Sequence, residues 1–137
     1  ARNMLRPVIM ILLLSAITLA AGCSAKVNKN DLAGQYEVVI DNEKQIIQIN
    51  PDGTYDNAFH KGKSLVWHYR NRWRYGNEPA LSTDAIVFEG FHFGLNGYNR
   101  NGLAGFWPVE PERSWSGAIE LCFDPDLNGR CFVKQNG

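Results

Sequence analysis

The chain has 137 residues, with 14 basic and 14 acidic side chains and a formal net charge of zero. This length suits one domain, and a content of 45% hydrophobic and 20% charged residues is typical of a folded chain rather than a disordered one. The balanced charge argues against a dedicated nucleic-acid binder, which would carry a basic excess. We therefore expect no nucleic-acid partner. The three cysteines are an odd number, which disulfide pairing alone does not account for.

Residues 1–22 have the composition of a signal peptide. Arg2 and Arg6 precede an uncharged apolar run from Val8 to Ala21. At about 1.5 Å per residue this run spans roughly 21 Å as a helix, which is less than the ~30 Å hydrocarbon core of a bilayer. A basic start, a short apolar run and small residues at its end are the layout of a secretory signal.

The sequence Leu19-Ala20-Ala21-Gly22-Cys23 resembles the lipobox of bacterial lipoproteins. The resemblance implies cleavage before Cys23 and a covalent lipid on its sulfur, with no other cofactor. The alternative is an ordinary signal peptide followed by an incidental cysteine. Ser24 looks like the outer-membrane sorting residue of enterobacterial lipoproteins. The expected location is therefore the bacterial cell envelope, anchored in the outer membrane through acyl chains and facing the periplasm.

The rest of the chain predicts strands joined by tight turns. We expect residues 23–33 to be the lipidated cysteine and a tether, and residues 34–137 to form one domain. Removing Arg2 and Arg6 with the signal leaves this part mildly acidic. Alternating apolar residues and turn signals predict an all-β fold, a small antiparallel barrel or meander of about seven or eight strands. The predicted strands cover residues 35–40, 45–50, 54–60, 64–75, 84–89, 115–123 and 130–134, with one more near 103–107 inside the irregular stretch 90–114.

One hairpin is predicted in detail. Pro51-Asp52-Gly53 is typical of a type I turn with a G1 bulge. Pairing Asn50 with Thr54 then sets Ile49 opposite Tyr55.

The two remaining cysteines flank a second hairpin. Cys122 and Cys131 enclose the turn-forming sequence 124–129, and pairing them sets Leu121 opposite Phe132. Directly opposed strand residues lie within disulfide range, and an exported protein meets an oxidising compartment, so we predict a disulfide. The turn also copies the first half of an EF-hand calcium loop. Its twelfth position is Gln135 rather than a bidentate Glu, so we expect no metal.

Several motifs resemble a group of small, uncharacterised bacterial exported β-proteins sometimes described as lipocalin-like. The resemblance implies a barrel-like fold, and it brings no active site with it. The motifs are G-x-Y at 34–36, N-P-D-G-T-Y at 50–55, R-W at 72–73, G-F-W-P-V-E-P-E-R-S-W at 105–115, D-P-D-L-N at 124–128 and F-V-K at 132–134.

The strongest candidate binding surface lies on the predicted strand 64–75. With a strand period of two, its two faces differ in chemistry. A stripe of His68, Arg70, Arg72 and Arg74 forms one face, and Trp67, Tyr69, Trp73 and Tyr75 form the other. Arginine offers planar paired donors to an anionic ligand. The alternative is a solvated face whose cations pair with Asp or Glu on a neighbouring strand.

A second candidate surface is aromatic. Phe91, Phe93, Tyr98 and Trp107 lie in or beside the glycine-rich stretch and could bind a small apolar ligand or a glycan at the barrel mouth. The alternative is that this loop folds over the barrel end and buries them.

We expect no enzyme, because no catalytic motif is present and His60, His68 and His92 are too widely spaced for a local metal motif. The leading hypothesis is a membrane-anchored lipoprotein whose barrel has a binding or envelope-accessory role. The partner would be a small apolar or anionic ligand or an envelope protein. The alternatives are an inhibitor or immunity lipoprotein that acts on a cell-wall hydrolase or other enzyme, and a hydrolase whose site is assembled from distant residues.

Overall fold

A computed structural model describes residues 26–95, 105–122 and 130–136. These residues form one antiparallel sheet of nine strands, preceded by a short 3-10 helix at Lys29–Asp31. The sheet confirms the predicted all-β, barrel-like fold. Residues 1–22 and Cys23 lie outside the described residues. The strands are β1 Gly34–Ile40, β2 Glu43–Ile49, β3 Thr54–Lys61, β4 Ser64–Glu78, β5 Thr83–Phe91, β6 Gly105–Val109, β7 Pro111–Arg113, β8 Ile119–Cys122 and β9 Cys131–Lys134.

The sheet curls until its two edges meet. Its strand order is β6-β5-β4-β3-β2-β1-β9-β8-β7, so the edge strands are β6 and β7. These two are consecutive in the chain and are separated only by Glu110. Residues 105–113 therefore pair with β5 through their first half and with β8 through their second half. The result is a nearly closed barrel, which leaves little unpaired strand edge in the described sheet.

Both predicted hairpin registers are confirmed. Ile49 lies opposite Tyr55 across β2 and β3, and Gly53 takes the positive φ of 89° that the bulged turn requires. Leu121 lies opposite Phe132 across β8 and β9, and the adjacent Cys122 and Cys131 form the predicted disulfide. The turn that joins β8 to β9, with the calcium-loop-like sequence, lies outside the described residues.

Two strand boundaries differ from the prediction by three residues or more. β4 continues through Gly76 to Glu78, where a break was predicted, because β5 pairs with it along this whole length. The strand predicted to begin at Trp115 begins at Ile119 instead. Residues 114–118 form a tight turn, in which Gly117 has a φ of 87° and donates its N–H to the Ser114 carbonyl at 2.9 Å. Glycine adopts this backbone conformation without steric cost.

The alternating strand directions define two ends of the barrel. The lower end carries the first described residues, 26–33, and the turns at 51–53, 79–82 and 114–118. The upper end carries the turns at 41–42 and 62–63 and the segment 92–95 that follows β5.

The chain itself covers the lower end. Val27 and Leu32, inside the range expected to be a tether, are buried in the core. The Tyr36 hydroxyl donates to the Leu32 carbonyl at 2.8 Å, and the Tyr75 hydroxyl donates to the Val27 carbonyl at 3.2 Å. Burial raises the pKa of Tyr36 well above its usual range, so its hydroxyl keeps the proton that it donates. No helix among the described residues is long and apolar enough to span a membrane.

Candidate functional site

The basic stripe lies on the outer surface of β4. His68, Arg70, Arg72 and Arg74 are all exposed, as the strand period predicts. The opposite, aromatic face is only partly inside the barrel. Trp73 is buried and Trp67 and Tyr75 are half-buried, whereas Tyr69 remains 45% exposed.

Asp56 on the neighbouring strand β3 binds the centre of the stripe. Arg70 donates from Nε to Oδ1 at 2.9 Å and from Nη2 to Oδ2 at 3.1 Å, which is a bidentate pair. His68 Nε2 lies 2.8 Å from the same Oδ1, and the Asn50 amide donates to Oδ2 at 3.2 Å. These hydrogen bonds, that from Arg70 above all, lower the pKa of Asp56 to about 2.

The Asp56 network limits what the stripe can bind. Arg70 and His68 already contact a carboxylate, and Arg74 lies 3.4 Å from the Glu78 carboxylate. Among the described residues, no carboxylate pairs with the exposed Arg72. His68 and Arg70 therefore match the predicted alternative, a solvated face whose cations pair with a carboxylate on a neighbouring strand, whereas Arg74 pairs within its own strand.

We expect replacement of Asp56 by Asn to lower the free energy of unfolding by about 1 kcal/mol at pH 7, a modest value because Arg70 is 65% exposed and water screens the pair. The native pKa of Asp56 is depressed, so its stabilising effect is complete above its unfolded value and is lost as pH falls toward about 2. Urea unfolding from pH 7 to pH 3 should show the gap between the two proteins beginning to narrow below about pH 4.

Asp84→Asn is the matched control. Asp84 forms only a 3.8 Å pair with Lys26, whose side chain is 81% exposed. We expect this change to have little effect at any pH, as exposed ion pairs contribute little. An equal effect of the two substitutions, or a gap for Asp56→Asn that is as large at pH 3 as at pH 7, would contradict the role assigned to Asp56.

The aromatic candidates belong mostly to the core. Phe91 is buried, and Phe93 and Trp107 are half-buried and pack against it, with ring centroids 4.7 and 4.6 Å from that of Phe91. For these three, the structure matches the alternative in which the chain folds over the barrel end. Phe106, next to Trp107, is 73% exposed. Tyr98 lies outside the described residues.

A buried polar pair fixes this segment inside the upper end. Gln45 and Asn57 are fully buried, and the Gln45 amide donates to Asn57 Oδ1 at 2.8 Å. Both side-chain amides also donate to the His92 carbonyl, at 2.8 and 2.9 Å, while Gln45 Oε1 accepts the Gly94 N–H at 3.0 Å. Side chains of β2 and β3 thus supply hydrogen-bond partners for the His92 carbonyl and the Gly94 N–H, as buried polar groups require.

The same segment fits closely against aromatic rings. A Cβ placed on Gly94 would lie 2.5 Å from the Phe59 ring and 2.8 Å from Trp67. Leu95, the next residue, is fully buried. Within the described chain, the upper part of the barrel interior is therefore filled by the protein itself.

No histidine in the described part of the chain belongs to a cluster of three or more ligand-type side chains. Among the described residues, only Glu120, Cys122 and Cys131 bring three ligand-type atoms within 4.8 Å of one another, and the two sulfurs are joined in the disulfide. The His92 ring instead stacks on Tyr69, with centroids 4.5 Å apart.

Sequence reasoning missed two features of the structure. Gln45 falls on the inward-facing period of β2 with Ile47 and Ile49, a signal that could have marked it as a buried polar residue. Trp115 is fully exposed on the turn 114–118. The turn-forming residues Ser114, Ser116 and Gly117 around it were the available signal.

Comparison with protein-family models, with curated proteins and with solved structures found no match.

Proposed function

We propose that this chain is a membrane-anchored bacterial lipoprotein, attached through Cys23, whose barrel is an envelope-accessory module. We further propose that it binds its partner with the outer surface of the barrel and carries no ligand inside. The lipobox-like sequence at 19–23 supports the anchor. The proposal that no ligand lies inside rests on the upper interior of the barrel, which the described chain itself fills.

The interior argues against a transport role of the lipocalin kind. Such a role needs a cavity with room for a ligand among the inward-facing side chains. Here the hydrogen bonds from Gln45 and Asn57 hold residues 92–94 across the upper end, and Val27 and Leu32 are buried at the lower end. A ligand would have to displace backbone that is already satisfied, which costs about 1–3 kcal/mol per buried polar group.

The outer surface offers contact area instead. Across β1 to β4, Val39, Lys44, His60 and Leu65 form a cross-strand row. Val39 and Leu65 at its two ends are more than half exposed, as is Val66 beside Leu65. Exposed apolar residues bordered by charge are a common composition of protein-contact surfaces.

The second candidate function is an inhibitor of a partner enzyme. It is favoured by the β3–β4 hairpin, which carries Leu65 and Val66 next to the exposed Lys61 and Lys63 at the upper end. A hairpin that carries exposed apolar residues beside a basic tip has a shape that can enter an enzyme cleft, and a preformed hairpin lowers the entropic cost of binding.

Native mass spectrometry of the protein extracted from membranes tests the absence of an internal ligand. We expect the mass of the chain with its acyl groups and nothing more. An apolar molecule that copurifies and is released only on unfolding would contradict the proposal. Phe91→Ala is the positive control, because removing a buried ring leaves a space that can bind a small apolar probe such as benzene.

A further inference from the structure

We propose that the lower end of the barrel rests on the membrane surface, with Trp115 inserted among the lipid headgroups. This inference rests on the proposed lipid anchor at Cys23. It assigns the anchored domain a fixed orientation and gives the exposed Trp115 a lipid partner.

The anchor lies close to the lower end. Lys26 is the first described residue, and only Ser24 and Ala25 separate it from Cys23. At 3.3–3.6 Å per residue, these three steps reach no more than about 11 Å. Val27 is buried and its carbonyl accepts a hydrogen bond from the Tyr75 hydroxyl. The chain is therefore held against the barrel from Val27 onward. An acylated Cys23 would therefore hold the lower end within about 11 Å of the bilayer.

Trp115 is presented at this end by a hydrogen-bonded turn. The Ser114 N–H donates to the Ala118 carbonyl at 2.9 Å, and the Ser114 and Ser116 hydroxyls lie 2.7 Å apart. Arg113 Nη1 donates to the Gly117 carbonyl at 3.1 Å and Nη2 to Asp31 Oδ2 at the same distance. The turn is thus tied to the N-terminal segment, while the Trp115 side chain is fully exposed.

A second exposed apolar residue lies on the same end. Leu81, in the turn between β4 and β5, is 42% exposed. Lys26 pairs with Asp84 three residues further along, which places this turn beside the start of the described chain as well. Two of the three turns at the lower end therefore carry an exposed apolar side chain next to the expected anchor.

The chemistry fits the membrane interface more closely than a charged partner. Tryptophan is enriched at the headgroup level of membranes, because its ring is apolar and its N–H is polar. The lower end carries both signs of charge, with Lys26 and Lys29 as cations and Asp31, Asp52 and Asp84 as anions. We therefore expect docking to depend on Trp115 and only weakly on anionic lipid or salt.

The test uses the purified acylated protein in phosphatidylethanolamine–phosphatidylglycerol vesicles whose acyl chains carry bromine, which quenches nearby tryptophan. Subtracting the emission of Trp115→Phe from that of the unchanged protein isolates the Trp115 signal. We expect most of that signal to be lost on brominated vesicles and kept on unbrominated ones. The remaining tryptophans, Trp67, Trp73 and Trp107, should be little quenched.

The matched control places a tryptophan at the other end. Leu65→Trp in the Trp115→Phe background carries an exposed indole at the upper end, on the same anchor, and should keep its emission. Equal quenching of both reporters, or none on vesicle-bound protein, would overturn the docking proposal and leave the lipid anchor intact. Protein that lacks an acyl group and does not bind vesicles would overturn the anchor, and the docking proposal with it.

Discussion

Replacement of Cys23 by Ser should abolish incorporation of a labelled fatty acid into the chain and, where the signal peptide is still removed, release the protein from the membrane fraction. Attachment of the diacylglycerol requires the sulfur of this cysteine, for which a hydroxyl is a poor substitute. Each buried CH₂ of an acyl chain contributes about 0.8 kcal/mol to membrane binding, so loss of several chains removes the anchor altogether. Fatty-acid labelling in growing bacteria, followed by fractionation of the envelope, measures both effects.

The double variant Cys122→Ser, Cys131→Ser is the control for this experiment. It removes the two disulfide cysteines and leaves Cys23 in place, so labelling should persist. Label that remains on the Cys23→Ser chain would show that Cys23 is not the lipid attachment site. The label is the deciding measurement, because an uncleaved signal peptide can hold a chain at the membrane without any acyl group.

Replacement of Phe91 by Ala should lower the free energy of unfolding by about 3–5 kcal/mol, the range for removing a buried phenylalanine. The Phe91 ring lies at the centre of the aromatic core, 4.6 Å from Trp107, 5.5 Å from Phe88 and 6.4 Å from Phe132. It therefore connects β5 with the closing strand β6 and with β9. Urea-induced unfolding followed by circular dichroism measures the loss.

Phe106→Ala is the matched control for Phe91→Ala. Phe106 lies on β6, but its side chain is 73% exposed. We expect this change to alter the free energy of unfolding by no more than about 0.5 kcal/mol. A loss below about 1 kcal/mol for Phe91→Ala, against the range for buried aromatic residues, would mean that the ring is not packed in the core as described.

The sequence was most informative about structural features that residues close together in the chain determine. The turn at 51–53 sets the register of β2 and β3, since a hairpin with a short loop allows few pairings. The same reasoning placed Cys122 opposite Cys131. Side-chain alternation separated the buried Tyr36 and Val38 from the exposed outer face of β1 because the side-chain period of a strand is two.

The sequence was less informative where distant segments meet. The hydrogen bonds between Gln45 and the segment after β5 join residues 47 and 49 positions apart. No periodicity in the glycine-rich stretch 90–105 indicates which end of the barrel it enters. Phe91 accordingly had two interpretations, exposed at the barrel mouth or buried beneath its own loop, and only the tertiary contacts separate them.

For the candidate site, too, the sequence predicted local features and missed those that depend on distant contacts. Strand period alone placed the basic stripe outside the barrel, but the pairing of Arg70 with Asp56 depends on the register of β3 and β4. Trp115 was assigned to the start of the predicted strand 115–123. The turn at 114–118 is stabilised in part by the contact of Arg113 with Asp31, 82 positions away, which no local pattern reveals.

The closure of the barrel also determines the order in which its strands can pair during folding. Strands β1 to β5 are joined by short turns and can pair as each emerges, but the free edge of β1 is matched by β9, with Tyr36 opposite Lys134. That edge stays open until residues 131–134 are present. Contacts so distant in sequence make folding slow, and an open strand edge invites pairing between molecules. A chain synthesised from its N-terminus therefore has to be protected from self-association until β8 and β9 arrive, and shortening it by even these last strands would leave an open sheet.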